Sequence, residues 1–190
     1  MRYATRLEDI AARFRKEFLD SDDEKDGTVL PPLWEDETPR RSATGGPYLC
    51  AHWRRRDFVQ AHGTNLPSIR GAAKQMTDLA SALGLKKVFV ATDAPSAEID
   101  ELVVHLGAEL VVFTPSEDEP LADGEAAIVE QIICSNARAF TGSHTSTFSY
   151  RIQEDREIRG LPVETTFNRM CSDSEKKKCE QPAKWKIVYS

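Results

Sequence analysis

The sequence predicts an α/β fold, a parallel β-sheet with helices on both faces, and three observations support this. Short apolar runs recur along the chain and have the length and composition of buried strands. Longer segments between them carry apolar residues at three- to four-residue spacing, which is the pattern of amphipathic helices. The two kinds of segment alternate, and alternation of strands with helices is typical of a parallel sheet.

The first helix is predicted at the N-terminus, ends near Leu19 and is followed by a long loop. Its apolar stripe consists of Tyr3, Leu7, Ile10, Phe14 and Phe18. Such a stripe normally packs on a core. Residues 20–46 are acidic, rich in proline and without periodicity, which indicates a loop. We therefore divide the chain into a lead-in, residues 1–46, and a domain of residues 47–190.

Four strands and four further helices are predicted to follow in alternation. The strands are expected at about 48–52, 87–91, 109–113 and 139–141. The helices are expected at about 68–83, 96–105, 126–137 and 148–158. Ser68 and Gly84 are typical start and stop residues for the first of these helices. A short apolar segment is predicted near the C-terminus, over residues 185–189.

Composition argues against several classes of function. Among 190 residues, 31 are acidic and 25 are basic, and the net charge of -6 disfavours nucleic acid or an anionic membrane as the main partner. No apolar run approaches the length that spans a bilayer. The P-loop pattern, G-x-G-x-x-G and G-x-S-x-G are all missing from the sequence. Nothing therefore supports a P-loop ATPase, a dinucleotide-binding enzyme or a hydrolase.

The four cysteines fall into two pairs with different surroundings. Cys50 and Cys134 lie in apolar runs, and we interpret them as buried thiols, with a bridge between them as the alternative. Cys171 and Cys179 flank a short polar segment, which suits a local disulfide in an oxidising compartment; a zinc-binding pair is the alternative. The N-terminus is too charged for a secretory signal. A disulfide without such a signal suggests that Met1 is not the natural start of the polypeptide.

Polar residues gather where the first predicted strand ends. Ligands of parallel α/β sheets bind beyond the carboxyl ends of the strands. His52 and Trp53 close this strand, and three arginines, Arg54 to Arg56, and Asp57 follow. Guanidinium groups are always charged and present paired donors that match phosphate oxygens. We therefore predict a phosphate site here, with a solvated basic patch as the alternative.

A second candidate element is the segment Gly142–Thr147, which is small, rich in hydroxyl groups and opens a helix. Free N–H groups and the positive end of a helix dipole suit an anion. The alternative is ordinary N-capping by serine or threonine. Together with arginines at another strand end, the segment favours phosphate binding. Asp93 and Glu130 are candidates for a contact with a base or a ribose hydroxyl, although Glu130 by itself resembles a solvated helix carboxylate.

Three segments carry a resemblance to a known family. Tyr48–Phe58 resembles the H-[LW]-R-R-x-D motif of the protein O-fucosyltransferases, and Val88–Ala94 and Gly142–Ser149 resemble their later motifs. Asn168–Cys171 and Cys179–Ile187 follow in the same order and spacing as in the type 2 branch of that family. The type 2 enzymes fucosylate serine or threonine in thrombospondin type 1 repeats.

The resemblance implies a fold, a donor and a location. The family consists of lumenal, inverting, metal-independent glycosyltransferases with two facing Rossmann-like domains in a GT-B arrangement. GDP-fucose is held mainly by the second domain, and this chain resembles that C-terminal domain with its lead-in. The implied partners are GDP-fucose and a folded thrombospondin repeat, with no further cofactor. The endoplasmic reticulum lumen is the implied location of the full-length protein, and Cys171–Cys179 matches a short disulfide loop.

The motifs also imply the residues of the site. The donor-binding set is His52, Trp53, Arg54, Asp57, Glu130, Ser146, Thr147 and Phe148. The first three would line the diphosphate and the sugar, and Arg54 would stabilise the departing GDP. Asp57 would orient the arginines or touch the nucleotide, while the last three would hold the phosphate and flank the nucleotide. Glu130 stands where the family has an aspartate, and Trp53 where type 2 enzymes usually have leucine.

The family's general base is not matched in this chain. It is a glutamate in a Gly-rich loop of the first domain, and nothing in the 190 residues resembles that loop. We therefore predict a peptide O-fucosyltransferase represented by its donor-binding half, which alone transfers little or no fucose. One alternative is a truncated product that binds nucleotide or acceptor without catalysis. Another is a different nucleotide-sugar transferase that uses the same fold.

Overall fold

Four parallel strands form a single sheet in the part of the chain that the computed structural model describes, residues 2–143, 145–175 and 179. The strands are β1 Gly46–Trp53, β2 Lys87–Thr92, β3 Glu109–Val111 and β4 Ala137–Gly142. Their order across the sheet is β3-β2-β1-β4, and each neighbouring pair is parallel. This confirms the predicted α/β class, a Rossmann-like parallel sheet flanked by helices.

The helices of the described residues follow the strands in the predicted alternation. They are α1 Thr5–Phe18, α2 Asp23–Asp26, α3 Arg56–His62, α4 Ile69–Ala82, α5 Ser96–His105, α6 Asp123–Ser135 and α7 Thr147–Arg159. Short 3-10 turns lie at Trp34–Asp36, Gly63–Asn65 and Val163–Thr165. No described helix is both long and apolar enough to traverse a lipid bilayer.

Helices cover both faces of the sheet, and side-chain alternation along β1 supplies both cores. Leu49, Ala51 and Trp53 pack with residues of α4 and α5. Tyr48 and Cys50 pack with residues of α1, α6 and α7. Successive side chains of a strand point to opposite faces, so a strand buried on both faces has an unbroken apolar sequence. His52 therefore belongs to the second of these faces.

The connections of the sheet place a crevice between β1 and β4. From β1 the chain continues through α4 to β2, on one side of β1, and from β3 it returns through α6 to β4 on the other side. The helices that follow β1 and β4 pack on opposite faces. Such a switch point leaves room for a ligand beyond the strand ends.

Two local predictions differ from the structure. No element is predicted between the first strand and the helix at 68–83, but residues 56–62 form α3, whose residues are all at least partly exposed, so no apolar stripe marks this helix in the sequence. The 20–46 segment contains α2, whose Asp26 is buried and receives a hydrogen bond from Ser21 Oγ at 2.6 Å. The apolar segment predicted over 185–189 lies outside the described residues.

Both cysteine pairs are disulfides, which corrects one prediction and confirms another. Cys50 and Cys134 are bridged across 84 positions of the sequence, so their interpretation as buried thiols is wrong and the alternative, a bridge between them, is confirmed. The bridge joins β1 to α6 inside the core, because neighbouring elements of the fold bring the two Cα atoms to 5.1 Å. Cys171 and Cys179 form the expected local disulfide.

Candidate nucleotide-binding site

The ends of β1 and β4 are joined by hydrogen bonds through Ser143. Its Oγ accepts a hydrogen bond from the main-chain N–H of Arg54 at 2.9 Å and donates to the carbonyl of His52 at 3.1 Å. Its own N–H also donates to that carbonyl, at 3.0 Å. The arginine run and the hydroxyl-rich segment therefore lie at one edge of the sheet, at the switch point.

Arg54 lies beside this junction with its side chain 37% exposed. Nη2 donates to Asp57 Oδ1 at 2.8 Å, and Nη1 lies 2.8 Å from Asp93 Oδ2. Its guanidinium carbon is 5.9 Å from the ring centre of Phe58. The Arg54 guanidinium is thus held on two sides by carboxylates, and its side chain is still partly exposed to solvent, where it can bind an anion.

The other two arginines of the run have different partners. Arg55 is buried and forms a two-pronged ion pair with Glu98 of α5, at 2.7 and 3.2 Å. It also lies over the Trp53 ring, 5.0 Å from the centre. Arg56 is exposed and donates through Nε to the carbonyl of Asp93 at 2.8 Å. Arg54 is accordingly the arginine of this run that faces the junction.

His52 is buried between β1 and α7. Its ring stacks on Phe148 with 4.3 Å between the ring centres, and its Nδ1 lies 2.7 Å from Ser149 Oγ. Burial, together with the positive charge of Arg54, lowers the pKa of His52 to about 3. The imidazole is therefore neutral at physiological pH and carries one N–H donor.

The first turn of α7 lies at the same junction, and the residue at its N-cap position does not cap it with its side chain. Ser146 occupies the N-cap position, but its side chain accepts no hydrogen bond from the turn. The capping alternative is therefore not observed. Thr145 has a φ of 60°, in the left-handed region that β-branched residues rarely adopt. Uncommon backbone geometry of this kind concentrates at ligand sites.

Glu130 of α6 is half-buried near Asp93. Burial and, to a lesser degree, the negative charge of Asp93 raise the pKa of Glu130 to about 8. At neutral pH its carboxyl group is therefore mainly protonated, so it can donate one hydrogen bond as well as accept one. This is a different chemistry from that of a solvated helix carboxylate.

Trp53 and Asp57 differ most from the others in exposure. The Trp53 side chain is 1% exposed and belongs to the core beneath α4, on the opposite face of the sheet from His52. In this conformation a contact between Trp53 and a ligand would fall to its main chain. Asp57 has a side chain that is 70% exposed and lies in the first turn of α3.

Two residues of the junction, Gly142 and Ser149, lie in the motif segment Gly142–Ser149 but receive no individual role from the sequence patterns. Ser149 is the partner of His52 across 97 positions of the sequence. Gly142 makes room for it, since a Cβ at that position would lie 2.5 Å from Ser149 Oγ. A small residue at the end of a strand is the one signal in the sequence that indicates such a close approach.

The described residues contain one cluster of three groups of the kinds that ligate metals, Cys171, Glu175 and Cys179. The two sulfur atoms are bonded to each other, and Glu175 pairs with Arg169 at 2.7 Å. The zinc alternative for this pair of cysteines is therefore not supported.

A parallel sheet with a cationic crevice at its switch point is the architecture of nucleotide-binding α/β proteins. Comparison with known proteins makes this specific. Residues 1–159 match the model of the family described as GDP-fucose protein O-fucosyltransferase. The protein belongs to this family.

Close relatives are found among animal enzymes. The chain is 54% identical over 189 residues to GDP-fucose protein O-fucosyltransferase 2 of Caenorhabditis elegans and 45% identical over 192 residues to that of Homo sapiens. The Drosophila melanogaster protein of the same name is 42% identical over 194 residues. These alignments cover 100% of this chain but 44%, 44% and 39% of the relatives. The chain thus spans less than half the length of the relatives it matches.

Solved structures show the same fold. A crystal structure of POFUT1 in complex with GDP matches 85% of this chain and 46% of that chain, with a TM-score of 0.55 and 21% identity. One in complex with GDP-fucose matches 90% of this chain and 47% of that chain, with a TM-score of 0.51 and 19% identity.

Proposed function

We propose that this chain is the donor-binding half of a peptide O-fucosyltransferase. The enzyme would transfer fucose from GDP-fucose to serine or threonine of a folded thrombospondin type 1 repeat. The observation that carries the proposal is the hydrogen bond from the Arg54 N–H to Ser143 Oγ, 2.9 Å long. It brings the cationic and hydroxyl-rich segments to one edge, as a diphosphate between them requires.

Arg54 and the start of α7 would hold the diphosphate. Arg54 supplies a solvent-open guanidinium, and the first turn of α7 supplies free N–H groups and the positive end of its dipole. Ser146 and Thr147 add hydroxyl donors beside them. Phe148 would flank the nucleotide, and neutral His52, stacked on it, would offer a hydrogen bond to the phosphate or sugar.

The remaining residues of the set would bind and orient. Protonated Glu130 would donate to and accept from the base or the ribose. Asp57 would hold Arg54 from the solvent side. In this proposal Trp53 supports the arginine run from the core side, because its ring lies under Arg55.

The reaction we propose is inverting and metal-independent. Negative charge develops on GDP as the glycosidic bond breaks, and Arg54 would stabilise that charge most in the transition state. The base that deprotonates the acceptor hydroxyl would come from outside these 190 residues. An endoplasmic reticulum location accords with the two disulfides, which persist in oxidising compartments.

The deciding experiment measures binding and transfer on one preparation. The 190-residue chain should bind GDP and GDP-fucose in preference to UDP-sugars, and should transfer little or no fucose to a folded thrombospondin repeat. Normal turnover by the isolated chain would refute the proposal that the general base comes from outside these 190 residues. A preparation that is folded but binds no GDP would refute the donor site.

A further inference from the structure

Asp93 lies where the arginine run and β2 meet. It follows β2 directly, and the last residue of β2, Thr92, pairs in register with Trp53 at the end of β1. A hydrogen bond from Thr92 Oγ1 to the Trp53 carbonyl, 2.6 Å long, fixes this alignment. The position of Asp93 is therefore fixed by the end of the sheet, because the residue before it is paired with β1.

Three successive arginines contact this one residue. Asp93 Oδ1 accepts a hydrogen bond from the main-chain N–H of Arg55 at 2.7 Å. Oδ2 lies 2.8 Å from Arg54 Nη1, and the carbonyl oxygen accepts from Arg56 Nε at 2.8 Å. Asp93 thus fixes the turn of the main chain after β1 and, at the same time, one side of the Arg54 guanidinium.

The two carboxylates that hold Arg54 differ in burial. The Asp93 side chain is 17% exposed, whereas that of Asp57 is 70% exposed. Oδ2 of Asp93 is buried, lacks hydrogen-bond geometry to any described group and holds Arg54 by charge. Solvent screens the exposed pair more strongly, so the pair with Asp93 is the more persistent one. When Arg54 binds an anion, Asp57 can turn to water while Asp93 stays in place.

We propose that Asp93 is the positioning residue that aims the Arg54 guanidinium at the diphosphate. This inference rests on the proposed donor site, because the diphosphate of the donor is the ligand that Arg54 is positioned to bind. Asp93 touches neither the nucleotide nor the sugar in this account. It acts through Arg54.

A purely structural role for Asp93 makes a different prediction. As a cap for the Arg55 N–H, Asp93 needs only an acceptor oxygen, which asparagine also provides. To position the Arg54 guanidinium through an ion pair, Asp93 needs its negative charge. Asp93→Asn retains the acceptor and removes the charge, whereas Asp93→Ala removes both. Asp100→Asn, on an exposed position of α5, makes the same charge change away from the site.

Calorimetric titration with GDP and side-chain NMR of the unliganded protein test the proposal. We expect Asp93→Asn and Asp93→Ala to weaken GDP binding by about tenfold or more, the effect of losing a charge-assisted contact. Both should also release the Arg54 guanidinium, seen as faster rotation in its ¹⁵N spectrum, while Asp100→Asn changes neither. The melting temperature of Asp93→Asn shows that the variant is folded.

GDP affinity and Arg54 rotation together distinguish an error in this inference from an error in the proposed donor site. If wild-type protein binds no GDP, the donor site fails, and a freed Arg54 in Asp93→Asn still supports the positioning role in the free protein. If Asp93→Asn matches Asp100→Asn in both affinity and Arg54 rotation, the positioning role is overturned. It is equally overturned if asparagine preserves both properties and alanine alone disturbs them.

Discussion

The main-chain N–H of Arg54 donates to Ser143 Oγ across a distance of 2.9 Å, although the two residues are 89 positions apart in the sequence. The contact closes the gap between the ends of β1 and β4. It also sets the direction in which the chain leaves β1, and hence where the guanidinium group of Arg54 can reach.

Ser149→Ala should disturb His52 without changing the charge of the site. The substitution leaves the buried Nδ1 without the partner that now lies at 2.7 Å. A lost partner of a buried polar group costs about 1–3 kcal/mol in unfolding free energy. Urea unfolding measures this loss, and ¹⁵N shifts of the ring report the tautomer. Ser81→Ala, at an exposed position of α4, is the matched control. Equal stability of the two variants would contradict the role of Ser149.

Gly142→Ala should be far more damaging than Gly124→Ala. A Cβ at Gly142 would lie 2.5 Å from Ser149 Oγ and 2.9 Å from the Phe140 ring, so α7 must shift. A Cβ at Gly124 meets nothing within 4 Å, and the position is in the first turn of α6. We expect Gly142→Ala to lower the unfolding free energy by about 1–3 kcal/mol. Gly124→Ala should be neutral or stabilising, by up to about 1 kcal/mol.

The two glycine variants are compared by urea unfolding of matched preparations. The midpoints should separate in opposite directions from wild type, or Gly124→Ala should remain at the wild-type value. A Gly142→Ala variant as stable as Gly124→Ala would mean that α7 does not pack closely against Gly142 at the end of β4.

Glu130 should make stability fall as pH rises through neutrality. Its pKa is raised from 4.5 to about 8 in the folded protein by burial and by Asp93. Between these two values the folded state binds one proton more than the unfolded state, so unfolding free energy decreases with rising pH. The contribution is fully present below pH 4.5 and lost above about pH 8. Its size is on the order of 5 kcal/mol.

Glu130→Gln isolates that contribution from the other titrating groups. Urea unfolding at pH 5.5, 7 and 8.5 should show a decline for wild type that is about 1 kcal/mol or more steeper than for the variant. Parallel curves would show that Glu130 titrates as an ordinary solvated carboxylate.

The disulfide between Cys50 and Cys134 should stabilise the chain more than the one between Cys171 and Cys179. The sequence separations are 84 and 8, and a longer closed loop constrains the unfolded state more. Loop entropy alone gives about 4–5 kcal/mol for the longer loop and about 2–3 kcal/mol for the shorter one. Paired cysteine-to-alanine variants of each bridge, compared by urea unfolding, measure both. The reverse ranking would contradict the assigned pairings or the loop-entropy account.

The order of the strands and helices was predictable because each element has a characteristic local spacing of apolar residues. The helix expected at 96–105 is α5, and the four strands lie within a few residues of their predicted positions. The exits of β1 and β4 were predictable as candidate sites for the same reason, since parallel sheets bind ligands at those ends.

The contacts that complete the site depend on long-range geometry. The pairing of Ser149 with His52 requires the right rotation of α7, and the Cys50–Cys134 bridge requires the right height of α6 above β1. Periodicity indicates that each residue is buried but not which one it meets. Arg156 is an extreme case, since it is fully buried and donates to the carbonyl of Ala137 at 2.6 Å.

Calorimetric titration of GDP into wild type, Arg54→Ala and Arg70→Ala tests the central claim most directly. Arg70 is an exposed arginine of α4, so its removal matches the charge change at a distance from the site. We predict one saturable site in wild type and Arg70→Ala. In Arg54→Ala we predict a loss of about 1.5–3 kcal/mol in binding free energy, or roughly 10- to 150-fold in affinity. Equal affinity of the two variants would remove Arg54 from the site and contradict the account.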